Sequence, residues 1–217
     1  QFDAVAGDLG VDAAKTGMLA TPQIIEVVAA KIRQYEITRL VVDPVMVAKG
    51  GMSLIREEAK KTLIERLIPL AHVLTPNIPE AEVLAGIRIE TLSDMKRAAE
   101  IILALGARHV VLKGGHLAGD AVDLLYDGRT FREFTSPRIA TADTHGTGCT
   151  YSAAIATGLA RGLDVREAVA LAKRYITEAV RHAWRVGGGH GPTNHLAPLF
   201  ATPDGKAARP DGWESPG

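Results

Sequence analysis

The chain holds a single cysteine, Cys149, in 217 residues. A lone thiol cannot close an internal disulfide, and no four-ligand cysteine site for zinc can be built from it. That usage suits a reducing compartment, and a cytoplasmic protein is expected. Aromatic residues are scarce at 5%, and there is no excess charge of either sign, with 25 Lys plus Arg against 25 Asp plus Glu. A balanced chain has no overall field drawing it to nucleic acid or to an anionic membrane, so neither partner is expected. No stretch approaches the roughly 20 uninterrupted apolar residues that cross a bilayer. The first ten residues carry neither a basic leader nor an apolar segment and lack an initiator Met. They read as the interior of a longer chain.

What is present is an ordinary globular composition, 47% hydrophobic and 23% charged. Short apolar runs alternate with longer segments of helical period. Residues 13–19 predict a first strand. Thr21 and Pro22 then suit the cap and first turn of a helix whose stripe is Ile24, Val27, Val28 and Ile32. Residues 38–47 predict a buried strand stopped by Asp43 and Pro44, and 56–70 a charged amphipathic helix. A short strand follows at 72–77. Residues 91–106 predict a helix ended by glycine, and the strand after it ends in Gly114 and Gly115. Such alternation argues an α/β fold with a parallel sheet and helices on both faces. Asp127 and Gly128 instead separate two short runs, the signature of a hairpin, so an antiparallel edge is expected there. Residues 147–161 and 164–186 complete the fold as two helices, the second with an apolar stripe at Val165, Ala168, Leu171, Ala172 and Ile176. The tail reads as loop and frayed terminus.

Ligands of open parallel sheets bind beyond the carboxyl ends of the strands. The unusual polar residues fall at those ends: Lys15, Gly17 and Met18; Asp43 and Val45; Thr75 and Asn77; Lys113, Gly115 and His116. The turn from Thr144 through His145, Gly146, Thr147 and Gly148 to Cys149 opens the first of the two final helices. Glycines there expose backbone N–H groups, and a helix start adds unpaired donors and the positive end of its dipole, which suits an anion. The turn is neither a Walker loop nor a dinucleotide fingerprint, and close packing alone could account for its glycines. Cys149 itself remains open between a small buried hydrophobe and a reactive thiol. His190 and His195 lie in a glycine-rich stretch, but zinc sites need more ligands than these.

Residues 43–51, 75–86, 110–116 and 144–156, in this order and spacing, resemble the hydroxymethylpyrimidine/phosphomethylpyrimidine kinases of thiamine biosynthesis, within the ribokinase-like superfamily. The resemblance implies a three-layer α/β/α fold with a mostly parallel sheet and an antiparallel edge hairpin. It implies one kinase domain over 1–198 and a tail over 199–217. The implied reaction moves the γ-phosphoryl group of ATP to 4-amino-5-hydroxymethyl-2-methylpyrimidine, then a second one to the monophosphate, with Mg²⁺. Gly146, Thr147, Gly148 and Cys149 would surround the transferring group, with Cys149 beside the attacking hydroxyl. Lys113 would hold phosphates, while Asn77, Gly115 and Thr144 would border the nucleotide. Glu80, three residues after Asn77, would orient Mg²⁺ with Asp43 nearby. Met18 and Val45 would flank the pyrimidine, and the glycine-histidine stretch would lie near the nucleotide.

A homodimer is the family-like expectation. Members of this family begin with a strand and a glycine-rich segment that this sequence does not contain, so exposed sheet edge and apolar surface are expected. The alternatives are a pyridoxal or pyridoxine kinase of the same superfamily, and an inactive truncated relative that only binds nucleotide or pyrimidine.

Overall fold

The computed structural model describes residues 1–46, 55–115, 119–185 and 187–197. Several readings from the sequence end on or lie outside these residues: position 47 of the 38–47 strand, the end of the 43–51 segment, His116, position 186 of the last helix, position 198 of the domain, and the tail at 199–217. The centre is a six-stranded sheet in sequential order: β1 (Ala14–Thr16), β2 (Leu40–Val42), β3 (Val73–Leu74), β4 (Val110–Lys113), β5 (Ala121–Tyr126) and β6 (Phe131–Ser136). β1 to β4 run parallel, and β4, β5 and β6 pair antiparallel. This is the mostly parallel sheet with an antiparallel edge expected from the alternation of patterns and from Asp127 and Gly128.

Because the parallel strands step across the sheet in one direction, right-handed crossovers must all pass over the same face. α2 (Pro22–Gln34), α3 (Glu57–Thr62), α4 (Ile78–Ala85) and α5 (Leu92–Leu103) contribute to the core on that face with Leu40, Val42, Leu74, Val110 and Leu112. The alternate residues Val41, Val73 and Val111 point the other way, onto α6 (Thr147–Ala160) and α7 (Val165–Arg181). Three layers result, with two cores separated by the sheet.

Local signals place most helix ends. Thr21 caps α2 by accepting from Ile24 N at 3.3 Å. The buried face of α2 differs from the expected stripe: Ile25, Ala29 and Ile32 are buried, Val28 is partly so, while Ile24 and Val27 are exposed. The helix is apolar on two faces, so periodicity could not say which would meet the sheet. The expected helix at 56–70 forms from Glu57, with Arg56 as its extended cap, but α3 passes into a wide turn at Leu63–Leu67 and a tight turn at Ile68–Leu70. Pro69 has no N–H to donate, so a regular ladder cannot continue through it. α7 stops at Arg181, short of 186. Before β1 stands α1 (Phe2–Leu9), with no buried residue, tied to α2 by Lys31 against Asp3 and by Phe2 stacked on Tyr35. β1 lies at the edge of the sheet, and Val5, Leu9, Met18 and Val27 are each more than half exposed.

Where β4 meets β5 the chain needs glycine. A Cβ on Gly114 would stand 1.9 Å from the Val122 carbonyl oxygen. That contact is with backbone and cannot be relieved by a side-chain rotation. Gly114→Ala is expected to destabilise the fold by about 3 kcal/mol, the upper range for overpacking. A urea melt checks this, and an unchanged midpoint would refute the close approach.

Candidate active site at the carboxyl ends of the parallel strands

Parallel pairing brings four strand ends to one side, and backbone bonds carry the ladder slightly further. Asp43 N donates to Thr16 O at 3.0 Å, Thr75 N to Val42 O at 2.9 Å, and Lys113 N to Pro76 O at 2.8 Å. Asp43 and Lys113, 70 residues apart, meet there in an ion pair of 2.8 Å, with side chains 2% and 13% exposed. Thr75 Oγ1 donates to the same Asp43 oxygen at 3.2 Å, and Ser152 Oγ, from α6, lies 3.2 Å from the other. Asp43 therefore fixes where the Lys113 ammonium stands.

Over this pair lies the start of α6. Its cap, Gly146, has φ 81° and ψ 0°, the left-handed region that favours glycine. Thr147 Oγ1 donates to Thr144 O at 2.8 Å and holds the turn closed. A Cβ built on Gly148 would be 3.2 Å from Lys113 Nζ, which measures how nearly the ammonium touches the helix start. Helix amides without intrahelical acceptors and a lysine ammonium thus converge on one place. Cys149 is exposed beside them.

The glycine-histidine stretch is strapped along the same turn. Gly191 N donates to Asp143 Oδ1 at 2.9 Å, His145 N to Gly191 O at 3.1 Å and Thr193 N to His145 O at 3.2 Å. Thr150 Oγ1 lies 2.8 Å from His195 Nε2. His195 is thereby engaged with the first turns of α6, and Gly191 forms a backbone strap along the turn.

Asn77 and Glu80 form a reciprocal cap on α4, Asn77 Oδ1 accepting from Glu80 N and Glu80 Oε2 from Asn77 N, each at 2.9 Å. Burial pushes the Glu80 carboxyl above its usual range, opposed by the nearby Lys113 charge and reinforced by Asp43. A carboxyl raised in the folded state stabilises the fold below its unfolded value, and that contribution is lost as pH climbs through the folded value. Glu80→Gln keeps an acceptor for Asn77 N and removes the buried charge. Its melting temperature is expected to be above the parent's at pH 7 and to converge with it toward pH 4.5. A lower melting temperature at pH 7 would contradict this.

No group of three or more His, Cys, Asp or Glu able to hold a metal occurs among the described residues. Mg²⁺ held largely by phosphate oxygens and water needs only one or two carboxylates and can meet them through water; Asp43 and Glu80, each 2% exposed, are already engaged, the first with Lys113 and the second with Asn77 N. Gly115, exposed, has its carbonyl held by Arg138 Nη1 at 2.8 Å. Met18 is half-exposed beyond β1, and Val45 partly buried beyond β2. Ser152 escaped the sequence reading, since one serine in a small-residue helix carries no signal. Lys173 also escaped it, although a lysine on the inward side of α7 between Val169 and Ile176 was a visible oddity.

The sequence model of a family described as phosphomethylpyrimidine kinase matches residues 1–194. Over 197 residues the chain is 56% identical to the thiamine biosynthesis bifunctional protein ThiED of Geobacter sulfurreducens, covering 90% of this chain and 40% of that one. It is 51% identical over 199 residues to a hydroxymethylpyrimidine/phosphomethylpyrimidine kinase of Bacillus subtilis, covering 91% of this chain and 73% of the other. Among solved structures, an ADP complex of Bacillus subtilis pyridoxal kinase superposes with a TM-score of 0.85 at 43% identity, over 91% of this chain and 74% of that one. The chain thus spans well under half of the bifunctional relative and about three quarters of the other two.

Proposed function

The chain belongs to the phosphomethylpyrimidine kinase family, and from that premise we propose that its protein transfers the γ-phosphoryl group of ATP to 4-amino-5-hydroxymethyl-2-methylpyrimidine and then to the resulting monophosphate. The observation that carries this reading is the meeting of Lys113 with the glycine-rich start of α6, at the carboxyl ends of the parallel strands. Phosphoryl transfer has a loose transition state, so fixed positive charge and alignment do most of the catalysis. Lys113 and the first amides of α6 supply that charge. Asp43 holds Lys113 in place, and Thr75 and Ser152 hold Asp43. Cys149, exposed at the helix start, accepts the proton of the attacking hydroxyl. Asn77, Gly115, Thr144 and Thr147 border the nucleotide. Met18 and Val45 flank the pyrimidine ring. When bound, Mg²⁺ neutralises phosphate charge, with Asp43 and Glu80 as its protein partners. Among the described residues no helix is long and apolar enough to cross a membrane. A homodimer acting in the cytoplasm completes the proposal.

A second reading, a pyridoxal kinase, is favoured by the structural likeness to the Bacillus subtilis enzyme. Pyridoxal also presents a hydroxymethyl group on a flat heteroaromatic ring. A coupled ADP-release assay on the full-length protein with Mg²⁺ separates the two. Turnover of the pyrimidine and its phosphate is expected. No turnover of either would end the main reading, and a higher kcat/KM for pyridoxal would establish the second.

A further inference from the structure

Resting on the kinase reading, we propose that Lys173 is a positioning residue: it occupies the carboxylate of Asp123 and so leaves Lys113 paired with Asp43 at the phosphate site. Lys113 and Asp123 are directly opposite each other in the antiparallel pairing of β4 with β5. Opposed residues project from the same face of a sheet, with Cβ atoms about 4.5–5.5 Å apart. Here that face carries Val111 and Leu125 and is covered by α6 and α7. Asp123 is 6% exposed. A buried carboxylate so close to a lysine would draw the ammonium to itself, because charges attract strongly where water is excluded.

The structure divides four charges into two pairs instead. Lys113 Nζ reaches Asp43 at 2.8 Å. Lys173 Nζ, from α7, reaches Asp123 Oδ2 at 2.8 Å and also donates to Ala121 O at 2.8 Å. The other Asp123 oxygen accepts from Gly114 N at 3.1 Å, the amide next to Lys113. Burial, with the Asp123 charge adding to it, pushes the Tyr151 phenol well above its usual range, so a residue of α6 also feels this carboxylate. No other basic side chain is hydrogen-bonded to Asp123 among the described residues. Removing Lys173 leaves Asp123 unpaired beside Lys113, and an unpaired buried charge seeks the nearest cation.

The test is the affinity of the full-length protein for a non-hydrolysable ATP analogue with Mg²⁺, measured by calorimetry beside a thermal melt. Lys173→Met is expected to weaken binding at least tenfold, and Lys173→Arg to stay within threefold of the parent. Adding Asp123→Asn to Lys173→Met removes the competing charge while keeping an acceptor for Gly114 N. The double variant should recover most of the affinity. A simple tether between α7 and the sheet predicts no such recovery, because the tether is gone in both. Ile176→Ala, in the core of α7, should lower the melting temperature without changing affinity. Should Lys173→Met not fold, Lys173→Gln, which can still donate to Asp123, carries the same expectation. Unchanged affinity in the neutral variants, or no recovery in the double one, would overturn the proposal. Absence of analogue binding by the parent would remove the kinase reading and this inference with it.

Discussion

Lys113→Met is expected to lower kcat/KM for ATP about a thousandfold, the upper range for removing one preorganised donor from a developing anion. The same substitution should also destabilise the fold. Asp43 is 2% exposed and would lose its cation, keeping Thr75 and Ser152 as its side-chain partners among the described residues. Breaking one side of a buried pair costs about 3–5 kcal/mol. The two effects are separable: steady-state kinetics well below the melting temperature read the first, and a urea melt reads the second. Lys113→Arg should retain most of the stability but not the rate, since a wider planar cation cannot stand where Gly148 already lies close to the ammonium. A kcat/KM within threefold of the parent in Lys113→Met would remove this lysine from the phosphate site.

Cys149→Ala should lower the rate of the first transfer about a hundredfold, the lower range for losing a positioned proton acceptor. The second transfer should fall much less. Its acceptor is a phosphate whose second ionisation lies near pH 6, so at neutral pH the attacking oxygen already carries charge and needs no base. The ratio of the two rates, measured separately with the alcohol and with its monophosphate, therefore reports what the thiol does. Equal losses would make Cys149 a packing or positioning group. Near-normal turnover in both would make it a bystander, a small side chain exposed at the start of a helix.

Much of this arrangement was legible in the amino-acid order. Thr21 and Pro22 announced the start of α2, Asp127 and Gly128 the hairpin, and the short apolar runs the strands, because caps, turns and strand periodicity depend on neighbours in the chain. The polar residues Asp43, Thr75 and Lys113 stood out for a related reason: each follows an apolar run directly, with Asn77 two residues after Thr75. Parallel strands carry all such residues to one side.

Tertiary structure alone decided the rest. Which of two apolar faces α2 would bury depended on the sheet it crosses, and Ile25 went inside where Ile24 did not. Ser152 meets Asp43 across 109 residues, and Lys173 meets Asp123 across 50. Neither partner lies within a helix turn or a hairpin of the other, so no local pattern could have announced them. These contacts exist because right-handed crossovers fill one face of the sheet and leave the other for α6 and α7. That packing excludes water from the lysines and carboxylates it brings together, and the exclusion is what makes their pairing matter.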